Sequence, residues 1–490
     1  MTETGTGTSA YEPSTDPSTA TSCAVGLDAV PSVEAVGMPA VRRQAPTTAG
    51  RRSGLTVPQG AALTIGAVLG TGVITLPAVA AKIAGPASLI AWALLVILSI
   101  PLATTFAALG SRYPDTGGVS SYAGRAFGSR WATVVGWVFL FSVPVGAPAA
   151  SMMAAGYVAD AFGGGRITTV AVAFAMIIAV VIMNAFGLRL SGRVQLVLTV
   201  VLALIMTLTI IVALPHAHWS NLTPFAPHGW LAIGPAAAVL VWGFAGWEAV
   251  SSLTADYRRP TRDVPRATGA AIGVIGVLYL ALATTALLVL GPATGASTAP
   301  LSDVLSIGTG GQVRAVTTVV AVLLSLGAMN AYFAGSSRLA AALGRDGGLP
   351  NWFARGSEAG EIPVRGILLV GVLSLLAETI AAATGLGIDD VMLLTTGGFT
   401  LVYVAGTAAA VRLLPRRSGA RRLATIALVS VLILAVMTGV HLLWAALVAA
   451  AGYGYSRYRE PSACPLSMSA RRRRGRCRRP QRCDRRKSAV

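Results

Sequence analysis

Long apolar runs that carry almost no charge fill the chain from residue 57 to residue 456. Most of them reach the roughly 20 residues that an α-helix needs to cross a bilayer. Of the 490 residues, 54% are hydrophobic and 12% are charged, and the mean hydropathy is +0.69, which excludes an ordinary soluble protein. We therefore predict an all-α membrane protein with about twelve transmembrane helices. The predicted spans are residues 57–81, 87–110, 131–159, 167–187, 194–214, 230–254, 267–291, 314–342, 366–384, 391–411, 422–438 and 440–456.

The basic residues predict the orientation of these spans. If the N-terminal tail is cytoplasmic, every second loop should be rich in Arg and Lys. All but three of the 38 basic residues then lie on the cytoplasmic side, and the exceptions are Lys82, Arg166 and Arg314. We therefore expect a multi-pass protein of the plasma membrane with both termini in the cytoplasm. Only Thr438 and Gly439 separate the last two runs, so ten or eleven spans also fit the pattern.

Neither end of the chain has apolar periodicity. Residues 1–54 are rich in Thr, Ser, Gly, Pro and Ala, which is typical of a disordered tail. Residues 457–490 form a second, strongly basic tail, which is expected to be disordered as well. This tail either binds anionic lipid at the cytoplasmic leaflet, is simply solvated, or has no role of its own. The formal charge of +19 is thus explained by topology and by this tail, and we expect no nucleic-acid partner.

The sequence predicts neither a metal site nor a cofactor. All four cysteines lie in the two tails, and Cys477 and Cys483 lack the spacing of a zinc site. The three histidines between spans five and six are interpreted as ordinary loop residues; they are His216, His218 and His228.

Glycine and proline interrupt the first predicted span. Gly66, Gly70 and Gly72 are followed by Pro77, and both residue types weaken an ordinary helix. Within a membrane, non-helical backbone is tolerated only where it is buried in protein or lines a cavity. A break here would direct the N–H groups of residues 71–73 into the protein, where they could bind a carboxylate. Close helix packing through small residues is the alternative interpretation.

The sixth predicted span has a similar interruption, running from Trp242 through Gly243 and Gly246 to Glu248. A carboxyl group at this depth is costly, so Glu248 is a candidate functional residue. Interrupted helices at corresponding places in two five-span halves indicate an inverted-repeat transporter. We therefore expect a 5+5 inverted-repeat fold in which helices one and six are broken and enclose a substrate site.

Three motifs in order along the chain resemble the amino acid–polyamine–organocation permeases. Residues 70–73 resemble the first-helix signature, residues 242–267 the sixth helix and its following loop, and residues 337–353 the eighth helix and its loop. Within this family, residues 69–73, 77–81, 113–119, 126–130 and 136–146 are similar to the bacterial exporters of methionine and branched-chain amino acids. The resemblance covers about residues 55–456, which it implies to be one transport domain.

The family likeness implies how a substrate would be held. In the family, backbone amides of the first break bind the substrate carboxylate, and backbone carbonyls of the second break bind its ammonium group. These contacts correspond here to Gly70, Thr71 and Gly72, and to Trp242, Phe244 and Ala245.

Other residues receive roles in gating or in the pocket wall. Trp242 resembles an aromatic gate over the substrate, and Glu248 resembles an acid of gating or protonation, with a purely structural hydrogen bond as the alternative. Four residues of the third and eighth spans either line the pocket or only pack between helices; they are Ser142, Gly146, Asn330 and Ser336. Glu378, in the ninth span, lies outside both breaks and is assigned no direct role.

Beside the two breaks the sequence has no further acid or base that could pair with a charged cargo. This favours a neutral hydrophobic amino acid, namely methionine, leucine, isoleucine or valine. The fifth span lacks the Lys that some family members carry, so the coupling ion stays open: a proton gradient or exchange is expected, and sodium is not excluded. An importer or exchanger of amino acids or amines, and a transporter-like sensor without flux, are the alternatives. The sequence has no motif of a membrane enzyme.

Overall fold

The computed structural model describes residues 55–459, except for residues 71, 115–117, 188–191, 249–250, 252–253, 255–256, 310–312 and 358–360 and the side chains of 192–195 and 198. Both predicted tails and Thr71 therefore lie outside the described residues. Within this part, the regular secondary structure is helical, apart from one isolated β-bridge between Leu55 and Tyr257.

The described part of the chain contains fifteen α-helices, which follow one another with short 3₁₀ turns and loops between them. They are α1 (Val57–Leu69), α2 (Leu76–Ala84), α3 (Ser88–Arg112), α4 (Gly118–Phe127), α5 (Ser129–Phe162), α6 (Arg166–Ala185), α7 (Gly192–Ala213), α8 (Ile233–Leu240), α9 (Pro260–Leu290), α10 (Pro300–Thr309), α11 (Arg314–Arg345), α12 (Val364–Thr384), α13 (Ile388–Leu413), α14 (Gly419–Thr438) and α15 (Leu442–Arg459).

Nine helical stretches of the described chain are long and apolar enough to cross a membrane. Two of them contain two helices each: Leu76–Arg112 joins α2 to α3, and Gly419–Arg459 joins α14 to α15. Gly85 and Gly439 stand at these junctions with φ of +59°, a conformation that ends a helix and that glycine adopts readily. The shorter apolar helices Val57–Leu69 and Trp230–Phe244 fall in the first and sixth predicted spans. The prediction of an all-helical, multi-pass membrane protein is thus confirmed.

Helix α5 lies at the centre of the fold, packed against α6, α11, α12, α13 and α15. Its 34 residues include Pro144 and Pro148, and small buried residues such as Gly146, Ala147 and Ala150 let neighbouring helices come close. Helix α1 packs against α7 and α9 on the other side of the centre. Large apolar side chains are exposed along α6, α7, α12 and α14, as expected for helices that face lipid.

Two short helices, α4 and α10, fall between predicted spans and were not predicted from the sequence. Helix α4 packs on α5 and α13, whereas α10 packs on α7. The start of α10 is also attached to the first span, because the Leu301 N–H donates to the Tyr157 hydroxyl (3.2 Å) and that hydroxyl donates to the Ile74 carbonyl (2.5 Å). Ten residues are too few to cross a membrane, so hydropathy alone gives no signal for either helix.

Candidate functional site

The first span is interrupted between Leu69, the last residue of α1, and Leu76, the first residue of α2. Turn hydrogen bonds bridge the gap: the Val73 N–H donates to the Leu69 carbonyl (3.3 Å), and the Leu76 N–H donates to the Gly72 carbonyl (2.9 Å). Pro77 lies in the first turn of α2, where its missing N–H costs no helical hydrogen bond. The helix therefore breaks where glycine and proline predict it.

A second interruption follows α8. The chain forms a 3₁₀ turn over Val241–Phe244, becomes extended at Ala245 (ψ of 141°) and reaches a φ of +127° at Gly246. Only glycine adopts the latter conformation without strain. The interruption thus lies at the glycines that the sequence singles out.

The two interruptions touch each other through glycine. A Cβ atom on Gly72 would lie 3.0 Å from the Gly243 Cα, and a Cβ on Gly246 would lie 3.1 Å from the Ala67 carbonyl carbon and oxygen. Any larger side chain at these positions would push the two backbones apart. The close approach brings polar backbone groups of both interruptions to one side of a cavity.

This cavity is small, with a volume of about 50 Å³. It lies between the interruptions and helices α5, α11 and α13, and no charged side chain of the described residues lines it. The wall is mostly apolar, in agreement with the pocket that the sequence predicts. The lining residues are Ala67, Val68, Gly72, Val143, Gly146, Ala147, Ala150, Trp242, Ala245, Ala328, Met329, Tyr332, Phe333, Thr395 and Phe399.

Four of the predicted site residues line the cavity: Gly72, Gly146, Trp242 and Ala245. The Trp242 side chain approaches α5, since a Cβ on Gly146 would be 3.2 Å from its ring. The N–H of Gly72 donates to no described residue.

The other predicted residues lie behind the wall. Ser142 donates to the Val138 carbonyl of its own helix (2.6 Å), and the Asn330 side chain accepts from the Asn184 amide (2.8 Å). Phe244 packs its ring against Trp92 and Tyr279. The last two are Gly70, which packs on Ala328, and Ser336, which donates to the Leu140 carbonyl.

The backbone carbonyls of the second interruption already have partners. The Trp242 carbonyl accepts from the Ala245 N–H (3.1 Å), and the Phe244 carbonyl accepts from the Tyr403 hydroxyl (3.3 Å). Each carbonyl oxygen has a second lone pair, so neither contact prevents a ligand ammonium group from binding there.

Glu248 is buried, with 3% of its surface exposed, and is held by three donors. Its Oε2 accepts from the Tyr403 hydroxyl (2.6 Å) and the Gly246 N–H (3.0 Å), and its Oε1 accepts from the Tyr332 hydroxyl (3.2 Å). Tyr332 also lines the cavity, so a single side chain separates the acid from the ligand space. The arrangement fits both interpretations of Glu248, as a proton carrier and as a structural acceptor.

The tyrosines that complete this site were not predicted from the sequence. Tyr332 and Tyr403 are 84 and 155 residues from Glu248, and nothing local in the sequence pairs them with it. One general signal was available, because a buried intramembrane acid needs donors and Tyr is one of the residue types that supply them.

The second buried acid, Glu378, has a different environment. It is fully buried on α12, and neither carboxyl oxygen has a hydrogen-bond partner among the described residues. It does not line the cavity.

Comparison with known proteins identifies the family. The amino acid permease family model matches residues 55–459. An uncharacterized amino acid permease of Bacillus subtilis, YecA, is 32% identical over 81% of this chain and 94% of its own length. The L-methionine/branched-chain amino acid exporter YjeH of Escherichia coli is 36% identical over 47% of this chain and 55% of its own length. The branched-chain amino acid permease BcaP of Bacillus subtilis is 25% identical over 70% of this chain and 78% of its own length.

We predict that Gly246→Ala destabilises the protein by about 1–3 kcal/mol, because the new Cβ is strained at this φ and crowds the end of α1. Thermal unfolding of the purified protein in detergent measures the effect. Gly273→Ala on α9 is the matched control, since a Cβ there meets no atom within 4 Å. Equal unfolding midpoints for the two variants would contradict the close contact between the interruptions.

Proposed function

Because the chain belongs to the amino acid permease family, we propose that it is a secondary active transporter that exports neutral hydrophobic amino acids, with methionine, leucine, isoleucine and valine as candidate cargo. The uncharged cavity between the two helix interruptions carries this proposal. The similarity to an exporter of methionine and branched-chain amino acids supports both the direction and the cargo.

The cavity provides separate environments for the two ends of an amino acid. The N–H of Gly72, which donates to no described residue, suits the carboxylate, and the carbonyls of the second interruption suit the ammonium group. The N–H of Gly70 donates to the Gly66 carbonyl (3.1 Å) in this conformation. The side chain would lie against the apolar part of the wall, which includes Val143, Met329 and Phe333. A charged side chain would lose its hydration there without gaining a partner, so arginine and glutamate should be rejected.

We propose twelve membrane crossings arranged as a 5+5 inverted repeat. The stretches Leu76–Arg112 and Gly419–Arg459 each contribute to two crossings, and the short helices α1 and α8 contribute to the first and sixth. The first and sixth crossings are then the interrupted ones, five crossings apart. The distribution of arginine supports a location in the plasma membrane with both termini in the cytoplasm.

Glu248 is the proposed coupling residue, with a proton as the coupling ion. The three donors around it satisfy an ionised carboxylate in this conformation. A movement of the sixth span away from Tyr332 or Tyr403 would remove donors and favour the protonated acid. Tyr332 also borders the cavity, so the presence of cargo would be linked to the protonation state of Glu248. Trp242 is the proposed gate.

Two alternatives stay within the same fold. An importer or exchanger of amino acids would use the same cavity, and the similarity to a branched-chain amino acid permease is compatible with it. An amino acid sensor would bind cargo without moving it. Flux and binding measured on one preparation separate these functions.

We expect purified protein in liposomes to transport labelled leucine and methionine under a pH gradient. Labelled arginine should not be transported. Trp242→Ala should reduce leucine flux about tenfold or more, because removing the half-buried ring of the proposed gate costs on the order of 1.4 kcal/mol or more. Trp219→Ala, which changes a 76% exposed tryptophan, is the control and should transport normally. Equal transport of arginine would contradict the proposed cargo, and binding without flux would support the sensor.

Export predicts a phenotype in cells. Cells that lack the protein should become hypersensitive to dipeptides that release leucine or methionine inside, because the free amino acid accumulates. The measurements are growth and intracellular amino acid pools. A wild-type gene returned to the deleted strain should restore resistance, whereas a Trp242→Ala gene should not. Unchanged pools and sensitivity in the deleted strain would contradict export.

The coupling role of Glu248 can be separated from a structural one. Glu248→Gln keeps the size and one acceptor oxygen but cannot ionise, so we expect leucine exchange to persist while accumulation driven by the pH gradient is lost. The matched control is Glu378→Gln, which changes the other buried acid and should accumulate leucine as the wild type does. Retained accumulation in Glu248→Gln would assign this residue a structural role alone.

A further inference from the structure

Six arginines lie where the end of α3, the end of α13 and the start of α14 meet. These helix ends are held together by a buried apolar cluster that includes Leu109, Leu414 and Ala424. Five of the six side chains are exposed and the other is half-buried. The six residues, here called the arginine face, are Arg112, Arg412, Arg416, Arg417, Arg421 and Arg422.

The arginine face has no acidic partner among the described residues. Helices α3 and α14 carry no Asp or Glu, and the acids of α13, Asp389 and Asp390, lie in its first turn at the opposite end. None of the six arginines forms an ion pair with a described residue. Arg421 and Arg422 also stand in the first turn of α14, where the helix dipole disfavours cations. The charge of this face is therefore not balanced within the described chain.

Other basic clusters on the same side of the protein have acids beside them. Arg345 pairs with Asp346 (2.9 Å) at the end of α11, and the Arg259 N–H donates to Asp263 (3.2 Å) at the start of α9. The preference for basic residues in cytoplasmic loops explains why arginine occurs on this side, but it does not explain why the arginine face lacks acids. A negatively charged partner outside the chain would balance it.

Exposed apolar side chains continue from the arginine face along α14. Ile426 and Val429, each 52% exposed, follow Arg422 by four and seven residues, so the three side chains share one side of the helix. Ile433, which is 53% exposed, extends the same row. A phosphate group held at Arg422 would thus have apolar surface next to it. Acyl chains can occupy such a surface, whereas a small soluble anion cannot use it.

Aromatic side chains beside the arginine face are of the kind found where a membrane meets water. The Arg412 guanidinium lies over the Phe127 ring (5.6 Å to its centroid), and Phe127 contacts Trp131 (6.3 Å between centroids). Trp131 is 47% exposed and contacts Tyr453 of α15 (6.4 Å). Trp and Tyr are enriched at the level of lipid headgroups. The arginine face therefore lies at the depth of the headgroups.

We propose that the arginine face binds the headgroups of anionic phospholipids, with acyl chains lying along the exposed side of α14. Guanidinium groups form strong, charge-assisted hydrogen bonds with phosphate oxygens. In the orientation proposed above, these lipids belong to the cytoplasmic leaflet, whose negative surface attracts basic segments. The site is part of the folded transport domain and is separate from the basic tail of residues 457–490. It does not depend on which cargo the protein carries.

The test follows thermal unfolding of the full-length protein in detergent while phosphatidylglycerol or phosphatidylcholine with the same acyl chains is added. For the wild type, we expect phosphatidylglycerol to raise the unfolding midpoint at a concentration about tenfold lower than phosphatidylcholine requires. An arginine near an anionic surface improves affinity about fivefold, so Arg417→Gln/Arg422→Gln should need about tenfold more phosphatidylglycerol, or more. The matched control is Arg345→Gln/Arg355→Gln, which removes the same charge from two other exposed positions.

Three results would overturn the inference. They are equal half-maximal concentrations for the two lipids in the wild type, no greater loss of affinity in Arg417→Gln/Arg422→Gln than in the control, and equal stabilisation by soluble glycerol phosphate. The last result would assign the arginine face to a soluble anion. If Arg417→Gln/Arg422→Gln fails to fold, as judged by its elution in detergent, Arg416→Gln/Arg417→Gln in the turn before α14 takes its place. The tail of residues 457–490 is the same in every variant, so lipid bound there affects all of them equally.

Discussion

The contact between the two helix interruptions is the constraint on which the site depends. It is made by glycines, because Gly72 faces Gly243 and Gly246 faces the end of α1 at distances that exclude a Cβ. Each glycine costs roughly 0.5–1 kcal/mol relative to alanine in regular structure. The interruptions expose backbone N–H and carbonyl groups that would be hydrogen-bonded within a continuous helix. These groups lie near one another and near the cavity. Residues of both interruptions, Gly72, Trp242 and Ala245, thus line the cavity.

Breaking two helices inside a membrane leaves polar groups that must find partners, and tyrosines from three helices provide them. Tyr279 of α9 donates to the ends of both interruptions, and Tyr403 of α13 donates to the second interruption and to Glu248. Tyr332 of α11 completes the shell around the acid and borders the cavity. Because these donors are neutral, the site can be satisfied without placing a cation beside the ligand. An uncharged shell of this kind suits cargo whose only charges are its own ammonium and carboxylate groups.

The sequence predicts the breaks because their signals are local. Closely spaced glycines with Pro77 in the first span, and glycines beside Trp242 and Glu248 in the sixth, predict the interruptions without knowledge of packing. The pocket wall is different, since it depends on how each helix is rotated about its axis. Gly146 lines the cavity, whereas Ser142, one turn earlier on α5, bonds to the carbonyl of Val138 in its own helix. Asn330 likewise pairs with Asn184 of α6. Which side chains face the cavity is set by neighbouring helices that are far away in sequence. The same is true of the tyrosines that donate to Glu248.

The two ends of the first span are held by contacts of different strength. On the side of the Leu55–Tyr257 bridge, the Arg258 N–H donates to the Leu55 carbonyl (3.3 Å), and Tyr257 fills the space beside Gly60. On the other side, Lys82 of α2 pairs with Asp389 of α13 at 3.1 Å, but the two side chains are 61% and 32% exposed. An exposed pair contributes about 0–1 kcal/mol, so it can separate easily. The buried hydroxyl of Tyr157 nevertheless connects the Ile74 carbonyl to the start of α10. A rearrangement that moves Ile74 together with α2 must therefore break the buried hydrogen bond from Tyr157 or carry that part of α5 with it.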